Sequence, residues 1–312
     1  MSETKLGLGL AALGRPEYIN IRQQKNIDKS LEAFHRNAST ILDLAYSKGI
    51  RYFDTAPSYG KGESFLTEWN AKNNYPNVML STKWGYTYKA NWQLGYKDKH
   101  EIKEHSLTKL KEQWQTSKVL LPNLKIYQVH SATLESGILE NNTVLEELHK
   151  LKKENNLKIG ISTSGVNQKK VIEKALAITI DNEPLFDSFQ VTFNILEQTT
   201  KPILELLKKN NKTIIIKEAL ANGRVFKQLL LNEDVTKIQK KYNVGIDAIA
   251  LRFVMDSLNP TVVLSGASTK KQLLENLKVN DFVLTNNEII ILQKLQMDAK
   301  NYWEDRNALS WV

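Results

Sequence analysis

The chain has 312 residues, of which 41% are hydrophobic and 25% are charged, a balance typical of a soluble globular protein and not of a disordered one. It contains no cysteine, which excludes disulfides, thiolate metal sites and cysteine nucleophiles. The formal net charge of +9 comes from lysines spread along amphipathic segments such as HKLKKENN, which indicates a solvated basic surface and no nucleic-acid partner.

The N-terminal segment MSETKLGLGLAALG lacks the basic region and the long apolar stretch of an export signal. An apolar run of about 18 residues, the length that a membrane-spanning helix needs, occurs nowhere in the chain. We therefore expect a soluble, cytoplasmic protein with no membrane partner.

Short apolar runs alternate with longer segments of helical periodicity, and no Pro/Gly/Ser-rich linker interrupts the alternation. The strand candidates are 6–13, 51–56, 78–84, 124–130, 157–163, 188–193, 213–219 and 261–266. The helix candidates lie around 27–48, 62–73, 102–117, 143–155, 168–178, 202–210, 243–257 and 270–279. This repetition predicts an α/β fold, a closed (β/α)8 TIM barrel formed by residues 1–312 as a single domain.

Two segments exceed a minimal barrel, and both are expected to border its mouth. The loop after the third strand is rich in aromatic residues, and the C-terminal extension holds an extra amphipathic helix, NNEIIILQKLQM, and a tail that ends in NYWEDRNALSWV. Trp84 and Trp92, in the aromatic loop, are candidate substrate-binding residues. The alternative is that these rings pack the loop onto the barrel.

Polar residues follow or end three successive strand candidates. The second strand ends near Asp54, with Tyr59 five residues later in DTAPSYG, the third ends near Lys83, and the fourth ends in His130. Because the carboxyl ends of barrel strands form the active face, these side chains are expected to converge on one opening.

The chemistry of this set is that of a proton donor. A free tyrosine has a pKa of about 10, and a nearby ammonium lowers it by stabilising the phenolate. We expect Lys83 to supply that charge to Tyr59 and Asp54 to hold the lysine in place. His130 would orient a carbonyl oxygen by hydrogen bonding, and no metal is needed.

These four residues, at this spacing, resemble the aldo-keto reductase superfamily, whose pattern is DTAxxYG, a lysine closing the third strand and a histidine in a segment like YQLH. The resemblance covers nearly the whole chain. It implies an oxidoreductase that reversibly transfers hydride from NAD(P)H to a small aldehyde or ketone, with Tyr59 as general acid. It also implies nicotinamide contacts from Ser162, Thr163 and Gln190. GLGLAALG is not followed by a helix at the spacing of a Rossmann turn, which is expected for a barrel.

The segment VVLSGASTKKQLLENLKV resembles the part of the family that binds the adenosine end of the cofactor, with Gly266, Thr269, Gln272, Glu275 and Asn276 in matching places. Lys270 and Lys271 lie near a helix N-terminus, where cations oppose the dipole unless an anion binds there. The alternative is a capping box of Thr269 and Gln272 with no ligand. The segment favours NADP(H) over NAD(H), although the lysine and arginine of strongly NADP-selective members are replaced by Gly266 and Gln272.

Three further positions are candidates for the same site. Lys217 stands where many members place an aromatic ring against the nicotinamide, and it would meet a phosphate or a substrate oxygen, pair with Glu218, or point outward. Arg224 is a candidate pyrophosphate contact. Asn194 is expected to line the wall beside Gln190.

Two other functions are compatible with the pattern. A nucleotide-binding regulatory subunit, resembling the barrel subunits of potassium channels, would bind the dinucleotide without turnover. A Schiff-base aldolase would use Lys83 as the nucleophile.

Overall fold

A computed structural model describes residues 4–18 and 27–311, so Met1–Glu3, residues 19–26 and Val312, the last residue of the predicted tail, lie outside the description. Its strands are β1 (Lys5–Gly9), β2 (Tyr52–Asp54), β3 (Met79–Trp84), β4 (Tyr86–Tyr88), β5 (Glu101–Lys103), β6 (Leu124–Ala132), β7 (Lys158–Thr163), β8 (Thr179–Ile180), β9 (Glu183–Pro184), β10 (Phe186–Thr192), β11 (Thr213–Lys217) and β12 (Val262–Ser265).

Eight of these strands close into a barrel in the order β1-β2-β3-β6-β7-β10-β11-β12, and β12 pairs with β1 again. Every pair in the barrel is parallel. The predicted (β/α)8 barrel is therefore confirmed, with each barrel strand inside or next to its predicted range. The first strand ends earlier than predicted, because the chain turns after Gly9.

The helices are α1 (Leu31–Ser47), α2 (Gly62–Asn73), α3 (Leu107–Ser117), α4 (Asn142–Asn155), α5 (Gln168–Leu176), α6 (Lys201–Lys209), α7 (Arg224–Leu229), α8 (Glu233–Tyr242), α9 (Ile246–Leu258), α10 (Lys270–Leu277), α11 (Asn286–Gln293) and α12 (Ala299–Asn307). Helices α7 and α8 are not among the predicted ones. Helix α8 buries only Val235 and Ile238, so the apolar stripe along its sequence is narrow.

One further prediction is corrected by the structure, and the predicted C-terminal helix is present. The helix predicted around 102–117 begins only at Leu107, because Glu101–Lys103 pairs with Tyr86–Tyr88 in an antiparallel hairpin. The predicted extra C-terminal helix is α11, and the tail that follows it is itself helical over α12. The side chain of Asp298 caps α12 by accepting from the backbone N–H of Asn301, as an N-cap aspartate does.

The lumen of the barrel changes from apolar to polar along the strands. Tyr52, Ile126 and Ile215 belong to a buried apolar cluster inside the barrel. Two residues further along, β2 and β6 present Asp54 and Gln128, both buried. Since side chains two apart in a strand share a face, one polar layer lies directly above one apolar layer.

The loop after β1 lies against the turn that carries Tyr59. A Cβ on Gly14 would stand 2.2 Å from the carbonyl oxygen of Tyr59 and 2.4 Å from the backbone nitrogen of Gly62. The backbone N–H of Lys61 donates to the Gly14 carbonyl at 2.8 Å. Only glycine fits at this position, because both obstructing groups are backbone.

We expect Gly14→Ala to lower the free energy of unfolding by about 3 kcal/mol, the upper end for overpacking, because neither backbone segment can yield easily. Gly9→Ala is the matched control, since its Cβ would meet only the Ser265 carbonyl oxygen at an ordinary 3.7 Å. Urea unfolding of both variants measures the difference. Equal stabilities would contradict the close approach.

Candidate active site

The barrel mouth is built around a buried ion pair between Lys83 at the end of β3 and Asp54 at the end of β2. Both side chains are almost fully enclosed, with 0% and 2% exposure. The Lys83 ammonium also donates to the carbonyl oxygen of Thr55 at 2.9 Å. A buried pair of this kind is stable only when its remaining hydrogen-bonding capacity is satisfied.

Three other side chains donate hydrogen bonds to the Asp54 carboxylate. Its Oδ2 accepts from Ser81 Oγ at 2.5 Å, from Gln190 Nε2 at 2.9 Å and from Gln128 Nε2 at 3.3 Å. These donors lie on β3, β10 and β6. The Asp54 carboxylate therefore links four strands across the lumen.

Tyr59 lies in the turn after β2, next to this pair. The Lys83 Nζ is 4.8 Å from the centroid of the Tyr59 ring. The His130 ring stands 5.5 Å away at an interplanar angle of 81°. The structure thus brings together all four residues that the sequence pattern singles out.

The pKa of Tyr59 departs from its ordinary value in the direction opposite to the predicted one. Burial raises the pKa of the phenol well above its usual range, and the Asp54 carboxylate adds to the rise. The Arg15 guanidinium opposes it. Tyr59 therefore holds its proton firmly at neutral pH.

The imidazole of His130, beside Tyr59, is neutral. Burial lowers the pKa of its imidazole well below the usual range, and the charges of Lys83, Lys217 and Arg15 lower it further. Its Nδ1 lies 3.4 Å from Ser58 Oγ. Since protonation is disfavoured, the ring can act through one N–H and one acceptor nitrogen.

Arg15 is a site residue that sequence reasoning missed. It is only 1% exposed, forms a 2.7 Å ion pair with Glu101, and places its guanidinium 5.0 Å from the Tyr59 ring centroid. The same guanidinium lies over the ring of Trp311, near the C-terminus, at 5.1 Å. A single arginine in a loop has no periodic pattern, so no sequence signal pointed to it.

Lys217 ends β11 on the other side of the mouth. Its Nζ lies 3.1 Å from Ser164 Oγ and 3.7 Å from the Glu218 carboxylate, so one of the three alternatives for Lys217, the pairing with Glu218, is present. Burial is the main cause that lowers the pKa of Lys217 to about 8. Arg306 of α12 donates to Glu218 at 3.0 Å and joins the C-terminal helix to this cluster.

A profile of the Aldo/keto reductase family matches residues 5–296. The chain belongs to this family. Aldo/keto reductases are NAD(P)-linked oxidoreductases, which is the general class of this enzyme.

Curated aldo/keto reductase relatives are distant but span most of the chain. The uncharacterized oxidoreductase YqkF of Bacillus subtilis is 26% identical over 293 residues, covering 85% of this chain and 89% of the relative. The aldo-keto reductase YhdN of the same species is 23% identical over 302 residues, covering 86% and 83%.

Solved aldo/keto reductases share the fold. The glycerol dehydrogenase of Gluconobacter oxydans superposes with a TM-score of 0.68 at 20% identity, covering 95% of this chain and 92% of that one. A holo-form aldo-keto reductase of Bacillus halodurans gives 0.66 at 20% identity, with 95% and 93% covered. Within residues 4–18 and 27–311, no helix has the length and apolar character to cross a membrane.

The residues that the family resemblance assigns to the nicotinamide lie on β7 and β10. Ser162 and Gln190 are direct neighbours in the strand register. Ser162 Oγ accepts from the backbone N–H of Ser131 at 2.8 Å, whereas Thr163 Oγ donates to Gln168 at 3.2 Å. Asn194 lies further along, where its Nδ2 donates to the phenol of Tyr302 at 2.9 Å.

Arg224 turns toward the C-terminal helix of the reductase. Its Nε donates to the Ala221 carbonyl at 3.0 Å and its Nη1 to the Tyr302 carbonyl at 2.9 Å. The guanidinium lies 4.1 Å from the Tyr302 ring centroid. Its Nη2 is buried and has no hydrogen-bond partner among the described residues, and the contact of Arg224 with a pyrophosphate stays a prediction.

The predicted adenosine segment forms β12, the turn after it and the whole of α10. Thr269 Oγ1 accepts from the backbone N–H of Gln272 at 3.2 Å, which is one half of the capping box, whereas the Gln272 side chain accepts from the backbone N–H of Ser268 at 2.9 Å. Glu275 pairs with Lys278 at 2.9 Å, and the Asn276 amide lies 2.8 Å from Ser265 Oγ. A Cβ on Gly266 would meet nothing within 4 Å, which leaves open space beside the cap.

The two tryptophans predicted to bind substrate pack against the barrel. Trp84 is fully buried, with its ring 5.5 Å from that of His105. The indole N–H of Trp92 donates to the Lys29 carbonyl at 2.9 Å, and its ring meets Phe34 at 5.3 Å. Both rings pack the loop onto the barrel, which is the alternative to a role in substrate binding. Their contact with substrate stays a prediction.

Removing one partner of the Lys83–Asp54 pair leaves the other buried without its counter-charge. We therefore expect Asp54→Asn to lower the free energy of unfolding by roughly 3–5 kcal/mol. Lys83→Met should cost less, because the Ser81 and Gln190 donors still satisfy Asp54.

Urea unfolding of both single variants and of the Asp54→Asn/Lys83→Met double variant completes the test. The double variant should lose less stability than the two single losses together, since no unpaired charge remains. Strictly additive losses would contradict a direct interaction.

Proposed function

We propose that the protein reversibly reduces a small aldehyde or ketone with hydride from NAD(P)H, and that Tyr59 is the general acid. The observation that carries the proposal is the convergence of Tyr59, His130 and the buried Lys83–Asp54 pair at the barrel mouth. The nicotinamide supplies the hydride when the cofactor is bound, and the protein supplies orientation and the proton.

Each side chain has a distinct part in the proton transfer. The raised pKa of Tyr59 keeps the proton on the phenol until an alkoxide forms in front of it. The Lys83 charge, 4.8 Å from the ring, stabilises the phenolate that remains. The neutral His130 imidazole donates a hydrogen bond to the carbonyl oxygen and orients it for attack.

The donors near the mouth fit a dinucleotide. Ser162 and Gln190, side by side in the register, offer a hydroxyl and an amide to a carboxamide. The buried Nη2 of Arg224 and the open space at Gly266 suit phosphate oxygens. We assign cofactor binding to Ser162, Thr163, Gln190, Lys217, Arg224, Gly266, Thr269, Gln272, Glu275 and Asn276.

NADP(H) is the preferred cofactor in this proposal. Lys270 and Lys271 occupy the first turn of α10, where their charges oppose the helix dipole. An additional phosphate would relieve that opposition. Comparing the dissociation constants of NADPH and NADH by fluorescence titration tests the preference, which equal affinities would contradict.

The aldolase alternative is disfavoured by the position of Lys83. Its ammonium is completely buried and already donates to Asp54 and to the Thr55 carbonyl, so an incoming ketone has no approach to it. Borohydride trapping with a keto substrate should leave Lys83 unmodified. A panel of aldehydes with NADPH separates the reductase from a regulatory subunit, which would bind dinucleotide without consuming it.

We expect Tyr59→Phe to lower kcat for carbonyl reduction by about 10²- to 10⁴-fold, the range for losing a general acid. Dinucleotide affinity should stay unchanged, because the phenol acts on the substrate. Tyr127→Phe is the matched control. The buried phenol of Tyr127 has no hydrogen-bond partner among the described residues, and its ring packs on that of Trp114. Undiminished turnover by Tyr59→Phe would exclude the assigned role.

We expect the affinity for the dinucleotide to depend on pH through the protonation of Lys217. With a pKa of about 8, its ammonium is charged below that pH and attracts an anionic group, and it loses the charge as the pH rises. Dinucleotide affinity should therefore fall by roughly tenfold between pH 7 and 9, the value of one charged hydrogen bond. Isothermal titration calorimetry across this range measures the fall.

The Lys217→Met variant should bind more weakly at pH 7 and show no such fall. Lys212→Met provides the control, because Lys212 precedes the same strand and donates to the Phe186 carbonyl, away from the mouth. The assignment fails if Lys217→Met keeps the pH dependence of the wild type.

A further inference from the structure

The segment from Glu101 to His105 directs every second side chain toward the barrel mouth. Glu101, Lys103 and His105 are half-buried, whereas Ile102 and Glu104 between them are exposed. The alternation follows from the extended backbone of β5, in which successive side chains point to opposite faces. The inner face of this short strand therefore lies on the proposed catalytic residues.

Two of these side chains hold the backbone of the proposed catalytic histidine. The Nε2 of His105 lies 2.9 Å from the carbonyl oxygen of His130, and the Nζ of Lys103 donates to the carbonyl oxygen of Ser131 at 3.0 Å. Because a carbonyl oxygen only accepts, the hydrogen of His105 is on Nε2. Burial lowers the pKa of His105 to about 4, so this donor is constant at neutral pH.

The backbone at this point departs from regular strand geometry. Ser131 has a φ of +47°, and the register between β6 and β7 shifts between Val129 and Ala132. A bulge of this kind re-aims a side chain and removes backbone groups from the ladder. The freed carbonyls need other donors, and Lys103 and His105 are the residues that provide them.

The ring of His105 has a dedicated space. A Cβ on Gly85 would stand 2.2 Å from His105 Cδ2, and Gly85 has a φ of +106°. On its other side the ring meets Trp84. Glycine at position 85 thus allows the imidazole to reach the His130 carbonyl.

We propose that His105 and Lys103 are positioning residues for carbonyl reduction, which hold the bulge at His130–Ser131 and so fix the direction of the His130 imidazole. The proposal rests on the proposed function of His130. It assigns to the hairpin formed by β4 and β5 a part in the chemistry, in addition to its packing on the barrel.

His105→Phe removes the donor and keeps a ring of similar shape between Gly85 and Trp84. We expect it to lower kcat by about tenfold through misplacement of His130, with the dinucleotide dissociation constant unchanged. His105→Gln, whose Nε2 can reach the same carbonyl, should recover most of the loss. An equal loss in both variants would show that the ring matters only for packing and would overturn the proposal.

A second readout does not depend on turnover. The chain has five histidines, so NMR of protein labelled at the histidine Cε1 gives a spectrum in which His130→Gln identifies the His130 signal. In His105→Phe that signal should shift or broaden while the signal of the half-buried His35, which pairs with Glu68 on the outside of the barrel, stays in place. An unchanged His130 signal would overturn the proposal even in a protein that reduces no carbonyl.

Lys103→Met tests the other donor and guards against misfolding of the His105 variants. Lys103 is half-buried and its loss creates no buried charge. It should move the His130 signal and lower kcat in the same direction as His105→Phe, with an unchanged thermal midpoint. A Lys103→Met protein with wild-type kcat and a wild-type His130 signal would remove Lys103 from the proposal.

Discussion

The buried Lys83–Asp54 ion pair is the interaction on which the rest of the site depends. Enclosing both charges inside the barrel is costly unless every remaining lone pair and proton finds a partner. The partners come from three other strands, with Ser81 of β3, Gln128 of β6 and Gln190 of β10 all donating to the Asp54 carboxylate. The register in which the barrel closes therefore places these donors at the Asp54 carboxylate. Tyr59 and His130 lie beside the same ion pair.

The charges around the mouth are paired, while the two groups proposed to face the carbonyl oxygen of the substrate are neutral. Lys83, Arg15 and Lys217 each lie beside a carboxylate, from Asp54, Glu101 and Glu218. Burial raises the pKa of Tyr59 and lowers that of His130, so neither is charged at neutral pH. A protonated phenol and a neutral imidazole, surrounded by fixed cations, are suited to stabilising negative charge that develops on an oxygen.

Segments outside the barrel complete the mouth. The hairpin of β4 and β5 contributes Glu101 to Arg15 and His105 to the His130 carbonyl. Helix α12 contributes Arg306 to Glu218 and Tyr302 to Asn194 and Arg224. Both segments thus connect to the strand ends through polar contacts, and neither contributes a strand to the eight-stranded barrel.

The sequence by itself determined the barrel and the four polar residues at its mouth, because strand and helix periodicity are local and the carboxyl ends of parallel strands must meet. It did not reveal α7, α8 or the β4–β5 hairpin, whose apolar patterns are short or narrow. The role of Arg15 and the direction of the Tyr59 pKa shift were decided only by tertiary structure. Both depend on burial and on contacts between residues distant in the chain, such as Arg15 with Glu101, and no local pattern records those distances.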